Sequence, residues 1–188
     1  HNVNFVTPTH HSPTLAKAVT KAREQGLEIP VVWNCGGYER AEIIADLEGI
    51  VDIYMPDVKW AADAAARMYS KASGYWDAVR PALREMHRQV GDLALDEDGV
   101  GQSGLLVRHL VMPGHVESSK RVVEFVAEEL SPDTYVNLMA QYRAAYKVGR
   151  HGRYEELNRG ITAEEYSAVV EHARDAGLHN LEIDHWRL

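Results

Sequence analysis

Ile50-Val51-Asp52-Ile53-Tyr54-Met55-Pro56-Asp57-Val58-Lys59-Trp60 decides the fold. Residues of strand-forming character run straight into Pro56, which has no N–H to give a sheet ladder and is expected to end the strand. An acid and a base, Asp57 and Lys59, follow at once. Parallel α/β sheets bind ligands at the carboxyl ends of their strands. Two readings therefore stand for the pair: an ion pair closing the top of a barrel, or part of a site.

Outward from this stretch the pattern repeats. On the N-terminal side, Pro30-Val31-Val32-Trp33 reads as a strand ending in Asn34-Cys35-Gly36-Gly37-Tyr38, followed by a helix over roughly 39–47. Before it, residues 2–7 read as a strand ending at Thr7-Pro8-Thr9-His10-His11. Ser12-Pro13 then has the form of a cap and first-turn proline, and Gly26 stops the helix. On the C-terminal side, residues 61–90 read as two helical pieces broken near Ser73-Gly74. Leu93 to Asp96 and Leu105 to Met112 read as strands, joined through a Glu97-Asp98-Gly99 turn and a Gly-rich connection. An amphipathic helix over Ser118 to Leu130 precedes a strand at Tyr135–Met139. Residues 140–160 read as a long loop or lid. Thr162 and Glu165 form a capping box for a last helix, and Leu181 to Asp184 read as a short final strand.

Strand, helix, strand, helix is the rhythm of a parallel sheet, with right-handed crossovers that place the helices in one outer layer. About five parallel strands are too few to close a barrel alone. The expected fold is α/β, a partial barrel, with residues 1–188 as one domain. His1 is not Met, and a strand begins with no lead-in, so a piece of a longer chain is expected.

Composition narrows the function. The net charge of −8 argues against a broad nucleic-acid surface, and no apolar run is long enough to span a bilayer. Cys35 is the only cysteine, so no internal disulfide forms and a reducing, cytoplasmic setting fits. Its plain reading is a small buried apolar group.

The strand ends gather Thr7, Thr9, His10 and His11; Asn34, Gly36 and Gly37; Asp57 and Lys59; Arg108, His109 and His115; and Gln141, Tyr142 and Arg143. Arg108 interrupts an apolar strand, so its guanidinium needs an anionic partner. Asp57 or a ligand carboxylate or phosphate both serve. His10, His11, His109 and His115 match no metal-site spacing, and no metal is assigned to these residues. No P-loop, G-x-G-x-x-G or nucleophile elbow is present.

Taken in order, Asn2 to His10, Asn34 to Tyr38, Asp52 to Lys59, Val90-Gly91-Asp92, Arg108 to Gly114, Met139 to Arg143 and Glu156 to Arg159 resemble uncharacterised radical S-adenosylmethionine (SAM) proteins related to the pyruvate formate-lyase activating enzyme. The resemblance covers essentially the whole chain. It implies a partial (β/α)6 TIM-like barrel whose first strand, here missing, is followed by a C-x-x-x-C-x-x-C loop holding a [4Fe–4S] cluster. In such proteins the open iron binds SAM, and reduction yields a 5′-deoxyadenosyl radical that abstracts hydrogen from a substrate. Cys35 does not lie in that loop, so the cluster ligands are expected outside this sequence.

By the same resemblance, Thr7, Thr9 and His10 replace the segment that receives the methionyl amino group, with Thr-Pro-Thr in place of G-G-E. Asn34 and Gly36 fall near the ribose. Asp57, Lys59, Arg108 and Tyr142 fall in the SAM and substrate pocket. The implied cofactors are SAM and the cluster; the implied partners are an unknown substrate, a protein being one option, and an electron donor such as flavodoxin or ferredoxin. Two rivals remain: an aldolase-type barrel using Lys59 as a Schiff-base amine, and a cluster-free binding module.

Overall fold

In the computed structural model, which describes residues 1–184, seven strands form one sheet. β1 (Val3–Val6), β2 (Val31–Cys35) and β3 (Ile53–Pro56) pair in parallel and in chain order. β4 (Ala94–Leu95) lies antiparallel against the start of β5 (Gly101–Leu110). The parallel order resumes through β6 (Tyr135–Met139) to β7 (Leu181–Ile183), giving β1-β2-β3-β5-β6-β7. Adding each parallel strand beside the one before is the winding of a barrel, and the protein is a partial TIM-like barrel.

The helices cover one face. α1 (Ser12–Glu24), α2 (Ala41–Ala45) and the three-residue α3 (Asp63–Ala65) come first. α3 runs into a π-helical turn, Ala66–Ser70, and α4 (Tyr75–Val90) follows. α5 (Val116–Glu129) and α6 (Ala163–Asp175) pack on each other. Beneath this layer Trp33, Tyr54, Leu105, Val107, Val136 and Leu138 are fully buried. Their register partners put Phe5, Trp33, Tyr54 and Leu105 in one row across four strands. The alternate residues, including Asn4, Val32, Met55 and Leu106, face the concave side.

Four sequence readings change. Ser12 is not the helix cap; it is buried as the first helical residue, with His11 before it and no side-chain capping bond. The first helical piece after Trp60 is shorter than periodicity suggested and closes as a π-turn ending at left-handed Lys71. The Gly-rich connection before Leu105 is itself the start of β5. Gly104 there has φ +121°, and a Cβ would lie 2.4 Å from the Asp92 carbonyl oxygen, so only glycine fits. The final strand adds a sixth parallel member to the five expected. The Thr162–Glu165 capping box forms as read, and residues 140–160 are irregular with two single 3-10 turns.

Candidate functional site

The rim at the carboxyl ends of β3 and β5 is built around Asp57. Pro56 does not end the pairing. Asp57 N–H donates to Cys35 O (2.9 Å), Val58 N–H donates to Arg108 O (2.8 Å), and Asp57 pairs in parallel with Arg108. Only the donor of residue 56 is lost, and the chain resumes contact with both neighbours. Lys59 is fixed from behind, where its N–H donates to the Tyr75 hydroxyl at 2.9 Å. Burial pushes the Tyr75 phenol up to about 12, so it stays protonated.

On the concave side Lys59 Nζ donates to Asp57 Oδ2 at 3.1 Å. Arg108 Nε lies 3.4 Å from Asp57 Oδ1, within ion-pair reach, but Oδ1 is buried and receives no hydrogen bond. The guanidinium's other contact is Nη2 to Met139 Sδ at 3.8 Å, a weak acceptor. Two cations thus share one carboxylate without saturating it. They line a cavity of about 230 Å³ with Leu110, Met139 and Gln141. That is below the roughly 300–1,000 Å³ of whole-ligand pockets, so the cavity suits one polar part of a ligand.

Lower on the same concave face, Val32, Ile53, Met55, Leu106 and Tyr135 line a more apolar cavity of about 340 Å³. Asn34 shares the face of Val32 and pairs with Met55, one strand from the charged group. Gly37 approaches still more closely. At φ +76°, its Cβ position lies 3.0 Å from the Asp57 carbonyl oxygen, which packs the Asn34–Gly37 turn onto the Asp57 backbone.

Thr7, Thr9 and His10 form a neighbouring group rather than part of this cavity. Thr7 N–H donates to Asn34 O at 2.8 Å while Thr7 sits at φ 55°, a left-handed conformation rare for a β-branched residue. Thr9 Oγ1 donates to Glu39 Oε1 at 2.7 Å, and His10 is exposed. Tyr142 donates to Leu157 O at 3.0 Å and so ties down the 140–160 segment; Gln141 takes the cavity position instead. Gly36 is exposed on the turn.

Sequence reasoning missed Glu39. It is 5% exposed, its Oε2 is buried without a hydrogen bond, and burial pushes its carboxyl up. Glu39 follows Gly-Gly-Tyr at a helix start, where an acid reads as ordinary first-turn composition. Met139 and Leu110 were also missed as lining residues, since an apolar residue near a strand end gives no signal of its own.

His109 is fully buried on the opposite face from Arg108. Its Nδ1–H donates to Val58 O at 2.6 Å, and Nε2 accepts from the Ser119 hydroxyl at 2.8 Å. Burial pushes it down to about 4, leaving a neutral structural imidazole. Among the described residues no group of His, Cys, Asp and Glu could hold a metal ion.

The residues fit the two implied cofactors differently. Cys35 is 3% exposed, and burial together with the neighbouring Glu39 raises its pKa far above the ordinary thiol value. A buried neutral thiol, alone, does not fit a cluster held by three thiolates. The polar group of SAM does have candidate partners here: Lys59, Arg108 and the unsatisfied Asp57 Oδ1, beside a turn whose glycines allow close backbone approach.

No protein-family model matches the chain. The uncharacterized protein MJ0674 of Methanocaldococcus jannaschii is 32% identical over 180 residues, covering 94% of this chain and 47% of its own length. The chain therefore spans about half the length of that relative. Among solved structures, a domain of a pyruvate-formate lyase-activating enzyme from Bacteroides vulgatus superposes with a TM-score of 0.66 at 14% identity, covering 98% of each chain. At that identity the likeness establishes the shared fold. No helix among the described residues is long and apolar enough to cross a membrane.

Proposed function

We propose that this chain is the SAM-binding barrel portion of a radical SAM enzyme. The observation that carries the reading is the Asp57 carboxylate, shared by Lys59 and Arg108 at the carboxyl end of a barrel of this type, with one oxygen buried and unbonded. An ion pair kept for stability alone gains most when every lone pair is satisfied. This one leaves capacity for a ligand that carries both an amine and a carboxylate, as the methionyl group of SAM does.

In this reading Arg108 and Lys59 face the ligand carboxylate, and the partly exposed Asp57 carboxylate accepts from its ammonium. Asn34 and Gly36 border the ribose, Thr7, Thr9 and His10 border the amino-group side of the rim, and Tyr142 keeps the 140–160 segment in place over it. Bound SAM supplies the adenosyl group that starts radical chemistry in enzymes of this class. The [4Fe–4S] cluster that such chemistry requires is assigned to thiolates outside these residues. The whole protein is assigned a reducing, cytoplasmic setting, an electron donor of the flavodoxin or ferredoxin kind, and a substrate of undefined class.

Equilibrium dialysis of the chain with radiolabelled SAM tests the reading. Saturable binding is expected, and Arg108→Gln is expected to weaken it about tenfold, the size of one charge-assisted hydrogen bond. Wild-type chain that shows no saturable uptake, or an Arg108→Gln chain that binds equally well, overturns it. A second reading, a cluster-free binding module, is favoured by the burial of the only thiol. It predicts SAM uptake by the chain but no 5′-deoxyadenosine from the whole protein reconstituted with iron and sulfide.

A further inference from the structure

On a chain of net charge −8, the segment after β6 stands out by its sign. Arg143, Lys147, Arg150 and Arg153 follow one another with no acid between them. All four are exposed, and none has an ion-pair partner among the described residues. Elsewhere arginines are mostly neutralised: Arg23 by Asp52, Arg84 by Glu129, Arg88 by Glu48 and Glu85, and Arg159 by Glu165.

Two further cations with no ion-pair partner among the described residues, Arg67 on the π-turn and Lys71 at its end, stand nearby, and the basic segment is fastened to that turn. Tyr154 Oη donates to Met68 O at 3.3 Å, Lys71 Nζ lies 3.4 Å from Tyr154 Oη, and Tyr69 Oη donates to Glu156 Oε1 at 2.5 Å. The ridge is therefore held in one shape rather than waving free. Beside it Met68 and Tyr146 are exposed, at 50% and 75%. Tyr146, His151 and Tyr154 each adopt a left-handed backbone conformation within it.

We propose that this ridge is a docking surface for a short acidic polypeptide segment, at the edge of the rim that carries Asp57 and Arg108. A concentrated cationic ridge on an acidic body attracts an anion of limited length. A long polyanion such as nucleic acid extends beyond the ridge and meets the acidic remainder of the surface.

The test is fluorescence anisotropy with a labelled decaglutamate peptide and the 188-residue chain at low salt. Saturable binding that weakens as salt rises is expected. Replacing Arg143, Lys147, Arg150 and Arg153 together by Gln should lower affinity about tenfold, and Lys17→Gln with Lys21→Gln on α1 should leave it within about twofold. The single reversal Arg150→Glu, at an exposed position, should weaken binding by itself and serves if the fourfold variant unfolds. No binding by wild type, equal losses in the ridge and α1 variants, or tighter binding of a single-stranded decanucleotide overturns the proposal.

Discussion

The two rims of the sheet use the same side chain in opposite ways. At the amino-terminal rim Asp52 Oδ2 accepts from Arg23 Nη2 at 2.8 Å and from Val31 N–H at 2.7 Å, tying α1 to β2. Asp92 accepts from the Ser131 and Thr134 hydroxyls at 2.8 and 3.1 Å and meets His87 at 3.1 Å. Burial raises the Asp92 pKa, but those three partners outweigh it and hold the carboxyl below its usual range. At the carboxyl-terminal rim the Asp57 carboxylate has one hydrogen bond, from Lys59, and a buried oxygen with none. A saturated carboxylate fastens chain to chain. An unsaturated one between two cations keeps capacity for something else.

The contrast extends along a single strand. Arg108 and His109 are adjacent on β5 yet face opposite sides, and only His109 has both of its polar atoms well matched. Sequence alone presented them as two polar residues in one apolar run.

The largest effect expected is at the amino-terminal rim. Gly104→Ala pushes a Cβ to within 2.4 Å of the Asp92 backbone at φ +121°, and loss of about 3–5 kcal/mol of stability should follow in urea unfolding. Near-wild-type stability would show that the β4–β5 junction is looser than described. Next comes the pH dependence of His109. Its folded pKa of about 4 lies below the unfolded value, so the unfolded chain binds the proton first. Its contribution is present above about pH 6.5 and lost as pH falls toward 4, by about 3 kcal/mol in all. Unfolding curves of His109→Gln, compared with wild type across that range, should lack this share of the slope. An unchanged slope would mean His109 titrates freely. The smallest effect belongs to Thr7. Relief of its left-handed backbone in Thr7→Gly should raise stability by about 0.5–1 kcal/mol, net of glycine's added chain entropy. A loss of stability would mean the threonine methyl is packed in a way that outweighs the strain.

Much of the fold was legible because the strands carry apolar runs that stop at turn residues, and that rhythm alone gives parallel pairing. Pro56 misled because a proline removes one donor, whereas the ladder on either side of it has many. Ser12 misled because Ser-Pro has the form of a cap whether or not the side chain turns back. At the site, Asp57, Lys59 and Arg108 were legible as charges interrupting or ending apolar strands. Thr9 and Tyr142 were placed near the same rim but serve other partners, and that depends on side-chain direction, which spacing does not carry. Glu39 gave no signal, since burial of an acid is set by what packs over it.

One paired experiment separates the two rims most directly: thermal unfolding and SAM binding, each measured on Asp57→Asn and Asp92→Asn. Asp57→Asn should unfold within about 0.5 kcal/mol of wild type and lose most SAM binding, whereas Asp92→Asn should lose about 2 kcal/mol and, where folded, bind SAM as wild type does. The opposite pattern, with Asp57→Asn destabilised and still binding SAM, would make the Asp57 cluster a structural ion pair and contradict the account.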